Sequence, residues 1–99
     1  MALDVTNHTR EEGELAITVE NNGTVDGTLS YQVTGESAAT QDIVVGGAFT
    51  LPANVTSGNT IGDVYTTLYF TPEGGEAVLF DTTTAITANT TLYVVGGGL

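Results

Sequence analysis

Apolar and polar residues alternate with a period of two along most of the chain. Leu15, Ile17 and Val19 interleave with Ala16, Thr18 and Glu20, the pattern of a strand with one face buried and the other wet. Asn21-Asn22-Gly23 and Asp26-Gly27 follow. These residue types tolerate positive φ, so they predict a chain reversal. Leu29, Tyr31 and Val33 then alternate again, which predicts the second strand of a hairpin with the first. Residues 35–41 are small and polar and predict a loop. Residues 43–45 and 48–51 predict short strands around Gly46-Gly47, a bulge or tight turn. Pro52 has no N–H for a ladder and ends that run. Residues 53–62 predict another loop with room for one helical turn. The strongest strand signal lies at 64–71, with Val64, Thr66, Leu68 and Phe70 on one side and Tyr65, Thr67 and Tyr69 on the other. Pro72-Glu73-Gly74-Gly75 predicts a turn, and residues 77–80 and 91–95 the last two strands.

No window carries a helical period of apolar residues, and Thr and Val, which favour pleated surfaces, are abundant. The expected fold is mainly β with an antiparallel sheet. Its expected limits are a polar arm at 1–13, a β domain at 14–95 and a Gly-rich tail at 96–99. Antiparallel sheets usually bury one face. Residues 64–70 and 91–95 are apolar on both faces, which implies a central strand, a sandwich, or a face covered by another subunit.

Composition narrows the partners. The chain has 99 residues, one Arg, no Lys and 12 acidic residues, for a net charge of −11. No basic face can be drawn on it, which excludes the usual footprint of nucleic-acid binding and disfavours anionic membranes. Without Cys there is no disulfide or thiolate site, so a small domain must hold by its core or by assembly. No run approaches a membrane span. Met1-Ala2-Leu3-Asp4 has neither the basic region nor the apolar run of a secretion signal and reads as the ordinary start of a complete chain.

Candidate chemistry is sparse. Nucleophilic catalysis needs a base beside the nucleophile, and the one His, His8, lies in the arm. Ser30, Ser37 and Ser57 are formal partners, but His8 reads as a solvated or interface residue. Glu11-Glu12-Glu14 and Glu73 with Glu76 read as solvated carboxylates rather than an acid–base pair. Residues 20–27 have the composition of a calcium loop without the EF-hand spacing, and read as a turn. Gly46-Gly47 and Gly74-Gly75 lack the strand-to-helix context of a phosphate cradle. No catalytic residue, cofactor or metal site is expected. Tyr65, Tyr69 and Tyr93 are candidates for an aromatic contact strip, against cross-strand packing as the plainer reading. Leu3, Val5, His8 and Arg10 are the arm residues expected to meet a partner.

The stretch Phe80-Asp81-Thr82-Thr83-Thr84-Ala85-Ile86-Thr87-Ala88-Asn89-Thr90-Thr91-Leu92-Tyr93 resembles the end of the internalin B-repeat, also called the Listeria–Bacteroides repeat. Gly47-Ala48-Phe49-Thr50-Leu51-Pro52-Ala53-Asn54 is similar to that family's central segment. Ile17-Thr18-Val19-Glu20-Asn21-Asn22-Gly23 is similar to its first strand. The resemblance spans roughly residues 15–95 and implies a β-grasp-like domain, with a small β-sandwich as the alternative. It also implies a spacer, adhesive or interaction role without catalysis. The family's Gly-Trp motif is absent, its closing Lys-Trp is replaced by Val94-Val95, and the repeat occurs once. Locally, Ile86 should anchor the loop on the core, with Thr87 and Asn89 bonding nearby backbone groups and Leu92 and Tyr93 on opposite faces.

Two roles are expected on these grounds. One is a structural protein of a bacteriophage virion, of the capsid-decoration or head-fibre type, docking through its arm and apolar edges on a major capsid protein or on sister copies. The other is an adhesion or spacer module at a bacterial cell surface.

Overall fold

The computed structural model describes residues 13–95. Nine strands and one helical turn follow in order: β1 (Glu14–Leu15), β2 (Ile17–Asn22), β3 (Gly27–Val33), β4 (Ala39–Ile43), β5 (Ala48–Thr50), β6 (Val55–Thr56), a 3-10 turn (Ile61–Asp63), β7 (Tyr65–Pro72), β8 (Val78–Leu79) and β9 (Thr90–Val95). The chain is mainly β with antiparallel sheets, as its alternation predicts. The strands form a two-stranded sheet β1-β6, a three-stranded sheet β5-β2-β9 and a four-stranded sheet β4-β3-β7-β8. Every ladder is antiparallel except one, β2 with β9, which runs parallel from Ile17 opposite Thr90 to Asn22 opposite Val95.

The two larger sheets share one core. Ile17 and Val19 from β2 and Val94 from β9 are buried in one cluster with Leu29 from β3, Ile43 from β4 and Leu68 and Phe70 from β7. Val55 from β6, Ile61 from the helical turn, and Leu51 and Ile86 from connecting segments belong to the same cluster. Tyr31 of β3 meets Phe49 of β5 across the two sheets, with ring centroids 5.7 Å apart. The helical turn begins in a capping box: Thr60 Oγ1 accepts from the Asp63 N–H at 3.1 Å, and Asp63 Oδ2 accepts from the Thr60 N–H at 2.8 Å.

The expected hairpin of residues 15–19 with 29–33 does not form. β2 lies between β5 and β9, whereas β3 lies between β4 and β7. Residues 23–26 carry the chain from one sheet to the other, and Asn21 holds that crossing. It is fully buried, with Nδ2 donating to the Val25 and Ile43 carbonyls at 2.9 and 3.0 Å and Oδ1 accepting from the Gly23 N–H at 2.9 Å. On the far side of the crossing the residue must be Gly. A Cβ at Gly27 would sit 2.5 Å from the Thr71 carbonyl oxygen and 2.6 Å from Phe70 Cε2.

Three smaller expectations also shift. Part of the expected 35–41 loop belongs to β4, a polar edge strand that pairs only with β3. Val44 and Val45, expected in a strand, lie in the turn closed by the Gly47 N–H on the Val44 carbonyl at 2.8 Å. Gly13, placed in the arm by its sequence, is already tied to the domain, its carbonyl accepting from the Ser57 N–H at 2.6 Å.

Candidate interaction surfaces

The three tyrosines expected to line one strip are separated. Tyr65 is the correction. Strict alternation puts it beside Thr67 and Tyr69, but the β3–β7 ladder shifts register: Gln32 faces Thr67 while Val33 faces Tyr65. Thr66 is therefore the extra residue of a bulge. The bulge turns Tyr65 onto the core face with Leu68 and Phe70, where it is 3 % exposed. Its hydroxyl donates to the Ala53 carbonyl at 3.1 Å and accepts from the Ala53 N–H at 2.9 Å. Burial pushes the phenol up to about 12, against the opposing effect of the Ala53 backbone bond. Tyr65 is a core residue that staples residue 53 to β7.

Tyr69 stays on the outer face of the four-stranded sheet. Cross-strand pairing aligns Thr40, Ser30, Tyr69 and Leu79 in one row over β4, β3, β7 and β8. Tyr69 is half-buried in it, and Leu79 stands 78 % exposed at its end. A cleft of about 410 Å³ opens beside the ring, with Ser30, Tyr31, Thr40 and Thr67 among its walls. The surface is neutral and hydroxyl-rich, with one aromatic at its centre.

Tyr93 belongs to the other sheet. On β9, Leu92 packs against the core and Val94 is buried, while Tyr93 faces outward and is 54 % exposed. The opposite orientation of Leu92 and Tyr93 is the expected one. Upstream, Ile86 is buried and exchanges backbone bonds with Asn59 and Gly58, and Asn89 Oδ1 accepts from the Ala16 N–H at 2.9 Å. Ile86 thus anchors its loop on the core as expected, whereas Asn89 bonds a backbone group 73 residues away rather than a nearby one.

Several carboxylates accept hydrogen bonds from nearby backbone and hydroxyl groups. Asp81 accepts from the Thr84 hydroxyl at 2.6 Å and from the Thr83 N–H and hydroxyl, each at 2.8 Å. These bonds, the Thr84 hydroxyl first, lower its carboxyl to about 2. In the 20–27 segment, Asp26 Oδ1 accepts from the Val45 N–H at 2.9 Å. Asp42 Oδ1 accepts from the Thr28 hydroxyl at 3.1 Å. Asp26, Asp42 and Glu73 border a cleft of about 480 Å³, yet among the described residues no three acidic or imidazole side chains are grouped to hold a metal ion.

Twelve acidic residues less Asp4, Glu11 and Glu12 leave nine on residues 13–95, with no Lys, Arg or His among them. Leu3, Val5, His8 and Arg10 lie outside the described residues. Among the described residues, no helix is long and apolar enough to cross a membrane. Sequence reasoning missed Asn21, although the inward phase of Ile17 and Val19 continues onto it. Comparison of the chain with protein-family models, with characterised proteins and with solved structures gives no match.

Proposed function

We propose that the chain is a non-enzymatic structural module that docks on neighbouring protein subunits, specifically a virion surface component of the capsid-decoration or head-fibre type. The observation that carries this reading is the distribution of exposed apolar side chains. Val44 (58 %), Val45 (47 %), Leu79 and Tyr93 are all offered to solvent by a domain of 83 described residues. Contiguous exposed apolar groups mark protein contacts, whereas scattered ones are normal; Val44 and Val45 adjoin in the chain, and Tyr93 lies on the edge strand β9. The charge agrees, since a surface with nine acids and no base repels nucleic acid and anionic lipid and leaves protein as the suitable partner. The likeness of residues 80–93 to the B-repeat points to the same class of role.

The test is where the chain resides. In the organism that encodes it, particles are separated from cell envelopes on a density gradient and each fraction is probed with an antibody to the chain. Co-banding with intact shells at a fixed copy ratio supports the proposal. Recovery with envelopes, and none with particles, replaces it with the surface-module reading.

A further inference from the structure

The open side of β9 has no ladder partner among the described residues. β9 closes the three-stranded sheet and pairs only with β2. The Thr90 N–H donates to the Ala16 carbonyl. In a parallel ladder both backbone groups of a given residue point to the same side, so Thr90, Leu92 and Val94 face β2. Thr91, Tyr93 and Val95 therefore direct their N–H and C=O groups away from the sheet.

This edge also lacks the usual protection. Proteins blunt exposed edges with short strands, charges, Pro or bulges. The other edges here comply: β5 has three residues, β8 has two, and β4 carries Asp42. β9 is six residues of Thr, Leu, Tyr and Val, with no charge, no Pro and no break in register.

We infer that β9 is a self-association edge whose occupant is the β9 of a second copy of this chain, paired antiparallel about a two-fold axis at Tyr93. This deepens the assembly reading and rests on it. Three features favour a second copy. Centring the axis on Tyr93 sets Tyr93 against its own copy and Thr91 against Val95 in both directions, so every outward group of the edge finds a partner. Centring on Leu92 or Val94 leaves one of the three residues outside the pairing. The pairing is isologous and closes as a dimer, so it leaves no new β9 edge. It also brings the two half-exposed Tyr93 rings onto one face, side by side, as a cross-strand pair.

Charge sets the conditions without forbidding the dimer. The acid opposite Tyr93 on β2 is Glu20. The two Glu20 side chains would be three strand spacings apart, about 14 Å. That exceeds the screening length of about 8 Å at physiological salt but falls well inside the roughly 30 Å at 0.01 M. Self-association therefore tightens as salt rises.

The experiment is analytical ultracentrifugation of the full chain from about 1 µM to about 1 mM, at low and physiological salt, beside amide exchange by NMR. The expected result is a monomer–dimer equilibrium with an apparent Kd at least about tenfold lower in salt. Amides of Thr91, Tyr93 and Val95 should gain protection with concentration, while those of Thr90, Leu92 and Val94 are protected throughout. Tyr93→Pro removes an N–H that makes no bond to β2, and Tyr93→Lys keeps the backbone but adds charge; both should be folded monomers by circular dichroism. A chain that stays monomeric at physiological salt throughout the range overturns the inference, as does a trimer or larger ring. So does a dimer that survives in a folded Tyr93→Pro. A dimer lost on deleting residues 1–12 but kept in Tyr93→Pro assigns the contact to the N-terminal segment and overturns it too. A strict monomer that still co-bands with particles would defeat this inference and leave the assembly reading standing.

Discussion

Replacing Asn21 by Asp changes one atom of a fully buried side chain and should make the stability of the fold depend on pH. The Asn21 amide nitrogen donates to two carbonyls, those of Val25 and Ile43. A protonated Asp can donate to only one of them, so Asn21→Asp forfeits one net hydrogen bond, about 1 kcal/mol. An ionised Asp donates to neither and sets a charge against two carbonyl oxygens with no exposure to water. Both effects raise its folded pKa above the unfolded value of about 3.9. The resulting penalty is absent below pH ~3.9 and grows with pH until the folded pKa is passed. If the folded pKa reaches neutrality, the difference of about 3 units adds roughly 4 kcal/mol at pH 7. The total, about 5 kcal/mol, rivals the whole stability of a domain near the lower end of the usual 5–15 kcal/mol range. The assay is urea unfolding followed by far-ultraviolet circular dichroism at pH 4 and pH 7, with Asn21→Ala as a neutral reference. Asn21→Ala loses the same donors and the acceptor for the Gly23 N–H, a cost of about 2–4 kcal/mol that does not vary with pH. If Asn21→Asp costs the same at both pH values, or less than Asn21→Ala at pH 7, the assignment of Asn21 as the pin of the crossing is wrong.

Three further outcomes follow from the same geometry. Tyr65→Phe should cost about 1–3 kcal/mol, because the Ala53 N–H and C=O lose their shared partner. In the parent chain the raised phenol pKa contributes stability below pH ~10 that is lost as pH rises through about 12. Alkaline melts of Tyr65→Phe should lack that loss, and identical alkaline limbs would count against it. Gly27→Ala should cost about 2–3 kcal/mol in urea, since its Cβ meets backbone and a buried ring within a paired strand; an unchanged midpoint would show that the β3–β7 contact is looser than described. The Asp81 carboxyl should titrate near 2 by carbon NMR, and Thr84→Ala should move it upward, because the Thr84 hydroxyl is the largest cause of its depression. No movement in that variant would transfer the effect to Thr83.

What the sequence makes legible is the phase of each strand, and what it hides is the partner. The alternations at Ile17 and Val19, at Leu29, and at Leu68 and Phe70 all correspond to buried faces. Alternation follows from a strand having one dry side, which is a local property. Turn chemistry is local too: Asn22-Gly23 and Asp26-Gly27 permit a reversal but carry no information about which sheet receives the chain. The ladder of β2 with β9 joins residues 73 apart and has no local signature. β4 reads as loop because Thr40, Gln41 and Asp42 are exposed on an edge strand, so no buried periodicity marks them. Tyr65 misleads for a related reason. With Val64 and Tyr65 both apolar, either phase fits the pattern, and only the β3 register shows Thr66 bulging out. The aromatic strip disappears with that bulge, and Tyr69 and Tyr93 fall in separate sheets.

The topology links the proposed assembly to folding. β9 is the last strand of the described domain, and its one ladder is parallel, the less stable arrangement per residue. Val94 is fully buried, with Leu92 packed beside it at partial exposure. Opening β9 therefore exposes little core and ranks among the cheaper sub-global openings. Yet among the described residues β9 is the one strand paired with that side of β2, whose Ile17 and Val19 are fully buried in the cluster. A second copy on the free edge gives β9 a ladder on each side and raises the cost of that opening. At a hundredfold excess over Kd, such binding adds about 2.7 kcal/mol to the native state. For a Cys-free chain of 99 residues, that is a large part of the margin separating folded from unfolded. Under the proposed pairing, the unblunted edge and the absence of covalent staples would be two aspects of one arrangement, in which the closing strand reaches full stability in the dimer.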